Sequence, residues 1–386
     1  MTLQVSLSEG MQLRRSYLEK ARRVVVKVGS AVLTGGSGLN REAMTNLVRQ
    51  LSALRKSGRE VILVSSGAVA AGRRKLGLNR KPVSLREKQA LAAAGQSHLM
   101  RAYEDIFADF DRKVAQVLLT RDDLSQRTRY LNVRNTLLTL LEWELIPIIN
   151  ENDTVSVEEL RFGDNDTLGA MITNLIEADL FIILTDVAGL YTANPAENSS
   201  AAKVCTVAQV TAEVEAMAGN LSSSLGTGGM RSKIKAAKTV AARGGCSFIG
   251  PGLQGSVLDE LFSGETVGTF FLPQADPLQS RKHWIAYTLK PQGELVLDDG
   301  ACRALAVGGK SLLPSGILEV RGRFGVGAPV HCLDQAGKVV AVGLVNYRAG
   351  DLGQIRGAHT NRIEEILGFK DSDEAIHRDN LVILGD

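Results

Sequence analysis

The sequence predicts an α/β protein: a three-layer α/β/α sandwich around a mainly parallel sheet, followed by a small β-rich domain. The chain opens with strand, loop and helix twice in succession, which favours a parallel sheet with helices on both faces. From residue 294 onward, short strands separated by turns predominate, which is typical of a small, partly closed barrel. The 386 residues are enough for two domains.

The first predicted strand carries a lysine near its end. An apolar, β-branched run starts at Val24 and is typical of a buried parallel strand, and Lys27 and Gly29 stand close to where it ends. An ammonium group beside exposed backbone N–H groups is one way to hold phosphate. A lysine at a strand end can equally extend its amine into solvent. This stretch alone leaves both interpretations open.

The other elements of the first domain continue the alternation of helix and strand. Asn40 is the expected N-cap of a helix that ends before Gly58. The remaining predicted elements are a strand at 60–64, a small-residue helix, a helix at 85–109, a strand at 114–119, a helix at 134–143, a strand at 145–150, a polar loop at 151–166, a helix at 167–176, a strand at 180–185, a basic helix at 231–243, a strand at 246–249, a helix at 256–262 and a strand ending at 272.

The second domain is predicted to be built mostly of strands, at 294–297, 316–320, 330–333 and 339–345. The expected division of the chain is an N-terminal extension at 1–21, a catalytic domain at 22–272, a linker at 273–284, a β-rich domain at 285–370 and a C-terminal tail at 371–386. Residues 1–21 lack the continuous apolar core of a signal peptide. They are expected to form a short amphipathic helix, or else to contain an alternative start at Met11.

Composition excludes several classes of function. The net charge of +3 is too small to favour nucleic acid or an anionic membrane as partner. The four cysteines have neither zinc-site nor redox-pair spacing, so reduced thiols in a cytoplasmic protein are expected. The five histidines form no HExxH pattern, which argues against a protein-only metal site. No apolar run approaches the roughly 18 residues that a membrane span needs.

Polar and glycine-rich segments follow the predicted strands at their carboxyl ends. Ligands of open parallel sheets bind beyond those ends, so we expect an active site there. Five strand ends carrying such residues are hard to explain by turn formation alone. The segments lie at 27–30, 65–67, 150–153, 185–186 and 226–233.

Two other stretches resemble nucleotide motifs but lack the expected context. Gly309-Lys310-Ser311 matches the tail of a P-loop, yet Ala304 occupies the position of the leading glycine and the stretch lies in the β-rich domain. Residues 250–255 match GxGxxG after a strand, but Pro251 fills a variable position and no ribose-binding acid follows in a next strand. Both are interpreted as turns.

In order and combination, the segments resemble the amino-acid kinase family, and within it the glutamate 5-kinase group, which carries a C-terminal PUA domain. The resemblance covers residues 22–384. It rests on VKVGS at 26–30, VSSGA at 64–68, INEND at 149–153, FGDND at 162–166, LTD at 184–186 with GLY at 189–191, GTGGM at 226–230 and SLLP at 311–314.

The resemblance implies transfer of the ATP γ-phosphoryl group to the side-chain carboxylate of L-glutamate, the first step of proline biosynthesis. Such a carboxylate is already ionised at neutral pH, so no general base is needed. Lys27 and Lys233 match the two phosphate-binding lysines of the family, and Asp166 matches the aspartate that holds them. The less specific alternatives are a solvated helix lysine for Lys233 and an N-cap for Asp166.

The resemblance also implies where the two substrates bind. Asp153 is expected to hold the glutamate ammonium, and Ser66 and Asn165 to supply hydrogen bonds; alternatively, Asp153 and Asn165 only fix the long loop. Mg²⁺ is expected to be held mainly by ATP phosphates and water. The residues expected at the nucleotide are Lys27, Thr185, Asp186, Thr227, Gly228, Gly229, Met230, Arg231, Ser232 and Lys233.

Several partners and alternatives follow from the same resemblance. It implies inhibition by L-proline, a homo-oligomer (dimer or tetramer) and glutamyl-phosphate reductase as functional partner. PUA domains often bind RNA, but residues 281–386 show no basic stripe interleaved with aromatics, so RNA binding is not expected here. The alternative phosphoryl acceptors are acetylglutamate, aspartate, carbamate and UMP. The attached β-rich domain and the match at 150–153 argue against these acceptors.

Overall fold

The computed structural model describes residues 6–35, 38–78, 80, 82–155, 164–195, 197–218, 229–274 and 291–384. The chain divides into two compact units, Met1–Ala275 (unit 1) and Asp276–Asp386 (unit 2), each with its own hydrophobic core. Most of the linker predicted at 273–284 lies outside the described residues. No helix in the described part of the chain is both long and apolar enough to cross a membrane.

The described strands of unit 1 are β1 (Arg23–Val28), β2 (Thr34–Gly35), β3 (Gly38–Leu39), β4 (Glu60–Ser65), β5 (Val114–Leu119), β6 (Ile146–Glu151), β7 (Leu180–Thr185), β8 (Thr206–Val207), β9 (Cys246–Pro251) and β10 (Thr269–Phe271). β2 and β3 form a small hairpin, and the other eight strands form one sheet in the order β5-β6-β4-β1-β7-β9-β10-β8. Every adjacent pair in this sheet is parallel except β9 with β10, which confirms the predicted mainly parallel sheet.

The described helices of unit 1 are α1 (Leu7–Lys20), α2 (Ser30–Leu33), α3 (Arg41–Lys56), α4 (Ala68–Lys75), α5 (Leu85–Ala108), α6 (Arg121–Ser125), α7 (Arg127–Glu142), α8 (Asn165–Leu175), α9 (Ala212–Met217), α10 (Met230–Ala241) and α11 (Val257–Ser263). Asn40 caps α3 as predicted, because its Oδ1 accepts from the Ala43 N–H at 3.1 Å. Helix α7 begins seven residues before the predicted 134–143. Its first two turns are rich in arginine, and Tyr130 and Val133 pack on the core there.

The two faces of the sheet carry separate apolar clusters, and β1 contributes to both. Val24, Val26 and Val28 pack into one cluster, whereas Val25 packs into the other. Side chains alternate along a strand, so Lys27 belongs to the same face as Val25, the face that α8 and α10 cover. The alternation confirms a strand buried on both faces and fixes the side on which the lysine emerges.

Helices α4 and α5 touch through their backbones. A Cβ atom at Gly95 would overlap the Ala68 carbonyl oxygen and the Gly72 backbone nitrogen, and one at Gly72 would overlap the Leu91 carbonyl oxygen. Only glycine permits this approach. The contact holds α5 close to the end of β4, from which α4 starts.

The N-terminal helix α1 is anchored in unit 1 by a buried arginine. Arg14 is fully buried, its Nη1 donates to the Val267 carbonyl at 2.9 Å, and its guanidinium lies 5.6 Å from the Phe248 ring centre and 6.0 Å from that of Phe270. Burial lowers the pKa of Arg14 to about 10. The segment predicted as an amphipathic helix is therefore helical and packs onto the sheet.

The described strands and α-helices of unit 2 are β11 (Gly293–Leu297), α12 (Asp299–Gly308), β12 (Ile317–Gly322), β13 (Pro329–Leu333), β14 (Val339–Leu344), α13 (Ala349–Ile355), α14 (Ile363–Leu367) and β15 (Leu381–Ile383). The strands form one five-stranded sheet in the order β12-β11-β13-β14-β15, with the helices beside it. The sequence interpretation missed α12, because Asp298-Asp299-Gly300 resembles a turn; Asp298 instead caps the helix, with its Oδ1 2.6 Å from the Ala301 N–H.

The expectation of a tail at 371–386 differs from the structure. Strand β15 pairs with β14, and Ile376 is fully buried in the core of unit 2. Gly309 is the left-handed C-cap of α12, which agrees with the interpretation of Gly309-Lys310-Ser311 as a turn and not as the tail of a P-loop.

Candidate functional site

The candidate site lies at the carboxyl ends of four adjacent strands. β6, β4, β1 and β7 are neighbours in the sheet and all parallel, so their carboxyl ends face the same edge. Lys27 is the next-to-last residue of β1, and Asn150 is the next-to-last residue of β6. Ser65 is the last residue of β4, and Thr185 is the last residue of β7. Polar residues that are far apart in the sequence therefore converge at one edge.

Three ionic side chains meet beneath this edge. The Lys27 Nζ lies 2.6 Å from Asp166 Oδ1, and the Lys233 Nζ lies 3.1 Å from Asp166 Oδ2. The lysine side chains are 7% exposed and that of Asp166 is 1% exposed, so neither lysine is a solvated surface residue. The structure thus brings together the three residues predicted as catalytic, from β1, α8 and α10.

This cluster carries an excess positive charge. Burial favours the neutral form of Asp166, but the ammonium groups of Lys27 and Lys233, with hydrogen bonds from Lys27 and Ser232, outweigh it and lower the pKa of the carboxyl group. Asp166 is therefore ionised at neutral pH, and with both lysines protonated one carboxylate faces two ammonium groups. The arrangement attracts an anion.

Asp166 is not the helix cap that the sequence left as an alternative. Asp164 caps α8, with its Oδ1 2.7 Å from the Thr167 N–H. Asp166, in the first turn, instead accepts a 2.7 Å hydrogen bond from Ser232 Oγ, which also lies 2.9 Å from the Gly229 carbonyl oxygen. Ser232 therefore ties the start of α10 to the carboxylate.

Helices α4 and α10 begin beside the site without a side-chain cap. Gly67 precedes α4 and Gly229 precedes α10, and neither helix has a side-chain cap at its N-terminus. Helices α2, α7 and α11 also lack such a cap, whereas Ser6, Asn40, Ser84 and Asp164 cap α1, α3, α5 and α8 with side-chain oxygens. First-turn N–H groups without a side-chain acceptor are suited to bind the oxygens of an anion.

The residues predicted to bind the amino-acid substrate form a hydrogen-bonded group. The Asn165 Nδ2 donates to Ser66 Oγ at 2.9 Å and to Asn150 Oδ1 at 3.0 Å, and it lies 3.3 Å from the Ser65 carbonyl. Asp153 is half-buried, two residues beyond β6. The rest of its loop, 156–163, lies outside the described residues.

The residues predicted at the nucleotide are only partly described. Thr185 is buried at the end of β7, and its Oγ1 donates to the exposed Asp186 at 2.9 Å. Gly229, Met230, Arg231, Ser232 and Lys233 form the cap and first turn of α10. Thr227 and Gly228 lie outside the described residues.

Two polar residues of α5 reach the site and were missed by the sequence interpretation. The Gln96 Oε1 accepts from Asn150 Nδ2 at 3.0 Å. The hydroxyl groups of Tyr103 and Ser65 lie 2.9 Å apart, and burial raises the pKa of Tyr103. The signal that could have found them is Gly95, because a glycine within a run of alanines indicates close helix packing next to the polar Gln96.

The described residues include no group of three or more histidine, cysteine, aspartate or glutamate side chains arranged to hold a metal ion. The buried carboxylate of the site, Asp166, is already engaged by two ammonium groups. A cation at this edge would therefore need most of its ligands from a bound anion and from water.

Comparison with known proteins identifies both units. Residues 22–249 match the model of the amino acid kinase family, and residues 293–367 match that of the PUA domain. A glutamate 5-kinase of Desulfotalea psychrophila is 57% identical over 375 residues, which are 97% of this chain and all of that protein.

Two further relatives agree with it. A glutamate 5-kinase of Geobacter sulfurreducens is 52% identical over 373 residues, covering 96% of this chain and all of the relative. One of Syntrophus aciditrophicus is 51% identical over 371 residues, covering 96% of each chain. The chain therefore belongs to the amino acid kinase family, among its glutamate 5-kinases, and carries a PUA domain after its kinase domain.

Proposed function

We propose that this protein transfers the γ-phosphoryl group of ATP to the side-chain carboxylate of L-glutamate, giving L-glutamyl 5-phosphate, the first step of proline biosynthesis. The observation that carries the proposal is the buried Lys27–Asp166–Lys233 cluster at the carboxyl edge of the sheet. The shared name of relatives that match nearly the whole chain supports the same reaction.

The chemical difficulty of the reaction is that one anion attacks another. The glutamate carboxylate is already ionised at neutral pH, so it needs no general base. Catalysis therefore depends on positioning and on positive charge around the transferring group. In our proposal Lys27 and Lys233 contact phosphoryl oxygens. Asp166, which contacts both ammonium groups, holds them in place.

Glutamate binds, in this proposal, between the ends of β4 and β6. Asp153 pairs with its ammonium group, and Ser66 and Asn165 supply hydrogen bonds. The uncapped start of α4, next to Ser66, adds backbone N–H groups that suit a carboxylate. This arrangement would direct the side-chain carboxylate of glutamate towards Lys27.

ATP binds, in this proposal, across the ends of β7 and α10. Thr185 and Asp186 contact the nucleoside, and residues 227–233 with Lys27 contact the phosphates. Mg²⁺ would be held by phosphate oxygens and water. The described residues include no group of three or more histidine, cysteine, aspartate or glutamate side chains that could hold it without ATP. When bound, it would neutralise phosphate charge.

We further propose that L-proline inhibits by competing at the glutamate site, that the protein is a homo-oligomer and that its product passes to glutamyl-phosphate reductase. These proposals rest on the family alone. The PUA domain is proposed to act in structure or regulation instead of binding RNA, because lysine and arginine are nearly balanced by aspartate and glutamate in residues 281–386 and form no basic stripe interleaved with aromatics.

The test is formation of glutamyl hydroxamate, which requires ATP, Mg²⁺ and L-glutamate, measured with and without proline. Product that proline suppresses supports both the reaction and its inhibition. If proline does not change product formation, the result supports the kinase reaction but contradicts inhibition by proline. Absence of product from folded protein contradicts the proposal, and acetylglutamate, aspartate, carbamate and UMP are then tried as acceptors.

A further inference from the structure

The amide of Asn165 can adopt only one orientation in this site. Its Nδ2 faces the backbone carbonyl of Ser65 at 3.3 Å, and a carbonyl oxygen only accepts hydrogen bonds. An inverted amide would place two acceptor oxygens against each other. The Nδ2 also donates to Ser66 Oγ and Asn150 Oδ1, so both of its hydrogens are committed and Asn165 Oδ1 is the group left for a ligand.

The orientation of Asn165 determines that of the next amide. Asn150 accepts at Oδ1, so its Nδ2 must donate, and it donates to Gln96 Oε1 at 3.0 Å. Asn150 is only 4% exposed, so an unpaired amide there would be costly. Gln96 is the acceptor at the end of this chain of hydrogen bonds.

Helix α5 holds Gln96 at a fixed distance from the site. The backbone contact of Gly95 with α4 lies one residue away. About two turns after Gln96 in the same helix, Tyr103 contacts Ser65, the residue before Ser66. The helix is thus fixed to the end of β4 on both sides of Gln96.

We propose that Gln96 is a positioning residue for substrate recognition: through Asn150 it holds the Asn165 amide so that its carbonyl oxygen, and not its amino group, faces the substrate. Ser66 Oγ accepts from Asn165, so its O–H is available to donate. The site then offers an acceptor for an ammonium group and a donor for a carboxylate, which selects an α-amino acid. This inference rests on the proposed function, since it assumes that glutamate binds here.

The experiment compares three full-length variants with the wild type. Gln96→Met keeps the length of the side chain but removes the acceptor, whereas Gln96→Glu retains an acceptor for Asn150. Ser97→Ala, on the exposed side of α5, is the matched control. KM for glutamate, KM for ATP and kcat are measured, together with competitive inhibition by glutarate, which has both carboxylates of glutamate but no ammonium group.

Loss of the acceptor should act on ammonium recognition alone. We expect Gln96→Met to raise KM for glutamate about tenfold, the scale of one unpaired buried donor, with kcat and KM for ATP within about threefold. Inhibition by glutarate should be unchanged, and Gln96→Glu should restore most of the glutamate affinity. A merely structural role would instead change all three kinetic constants and the melting temperature together.

Two outcomes overturn the inference: an unchanged KM for glutamate in Gln96→Met, or an equal loss in Gln96→Glu. If Gln96→Met does not fold, Gln96→Ala leaves the same Asn150 donor unpaired and carries the same expectations. A wild-type protein that forms no product from glutamate contradicts the proposed function instead, so the two failures are distinguishable.

Discussion

Replacing Asp166 by asparagine should destabilise unit 1 strongly. The carboxylate lies 2.6 Å and 3.1 Å from two ammonium nitrogens. At an effective dielectric constant of about 20, each attraction is about 5–6 kcal/mol before desolvation is subtracted. Removing one partner of a buried pair costs about 3–5 kcal/mol net, and we expect that loss here because Asp166→Asn leaves two buried ammonium groups without a counter-ion.

The assay is urea unfolding of the full chain, followed by circular dichroism, with hydrogen exchange measured in α8 and α10. A second substitution provides the control. Lys27→Met combined with Asp166→Asn leaves a single buried ammonium group, so the double variant should be more stable than Asp166→Asn alone. An Asp166→Asn protein as stable as the wild type, or a double variant less stable than the single one, would refute the reasoning.

The same substitution should change the dependence of stability on pH. The pKa of Asp166 is lower in the folded state than its ordinary value of 3.8. Its contribution to stability is therefore present above about pH 4 and is lost as pH falls through the lowered folded-state pKa. The stability difference between wild type and Asp166→Asn should shrink in acid, and a constant difference down to pH 2 would contradict this.

Four further predictions concern activity and packing. Lys27→Met or Lys233→Met should each lower kcat by about 10²–10⁴ at saturating ATP. Stability should change little, because Asp166 keeps one ammonium partner. A wild-type kcat in either variant would show that the replaced lysine takes no part in catalysis. Arg14→Ala should lower the free energy of unfolding by about 2–5 kcal/mol and Arg14→Met by less, since methionine preserves most of the packing, which melting temperatures would check. Gly95→Ala should cost about 3 kcal/mol or abolish soluble expression because its Cβ meets backbone atoms, whereas the exposed Ala93→Ser should be neutral. A chain stopped after residue 280 should keep some kinase activity, because unit 1 has its own core; a folded but inactive truncation would contradict this.

The sequence predicted the sheet because strand burial leaves a clear pattern. The run from Val24 to Val26 is apolar at consecutive positions, as expected for a strand with helices on both faces. Strand ends and helix starts follow from local residues such as Asn40. The family resemblance placed Lys27 and Lys233 in the site, where the structure brings them together.

The partner of the two lysines could not be chosen by local pattern. Asp164 and Asp166 both stand at the start of the same helix, and either could cap it. Only the position of Lys27, on a strand far away in sequence, decides that Asp166 faces the lysines while Asp164 caps α8. Gln96 was hidden for a similar reason, because its role depends on the approach of α5 to Asn150.

The buried ionic cluster also has a consequence for the order of folding. Lys27, Asp166 and Lys233 come from the beginning, middle and later part of unit 1, and they meet only when β1, β4 and β7 have paired in register and α8 and α10 have docked. Pairing over such long stretches of chain is slow, because loop-closure entropy must be overcome first. Catalytic competence should therefore be among the last properties to return on refolding, after helical structure has recovered.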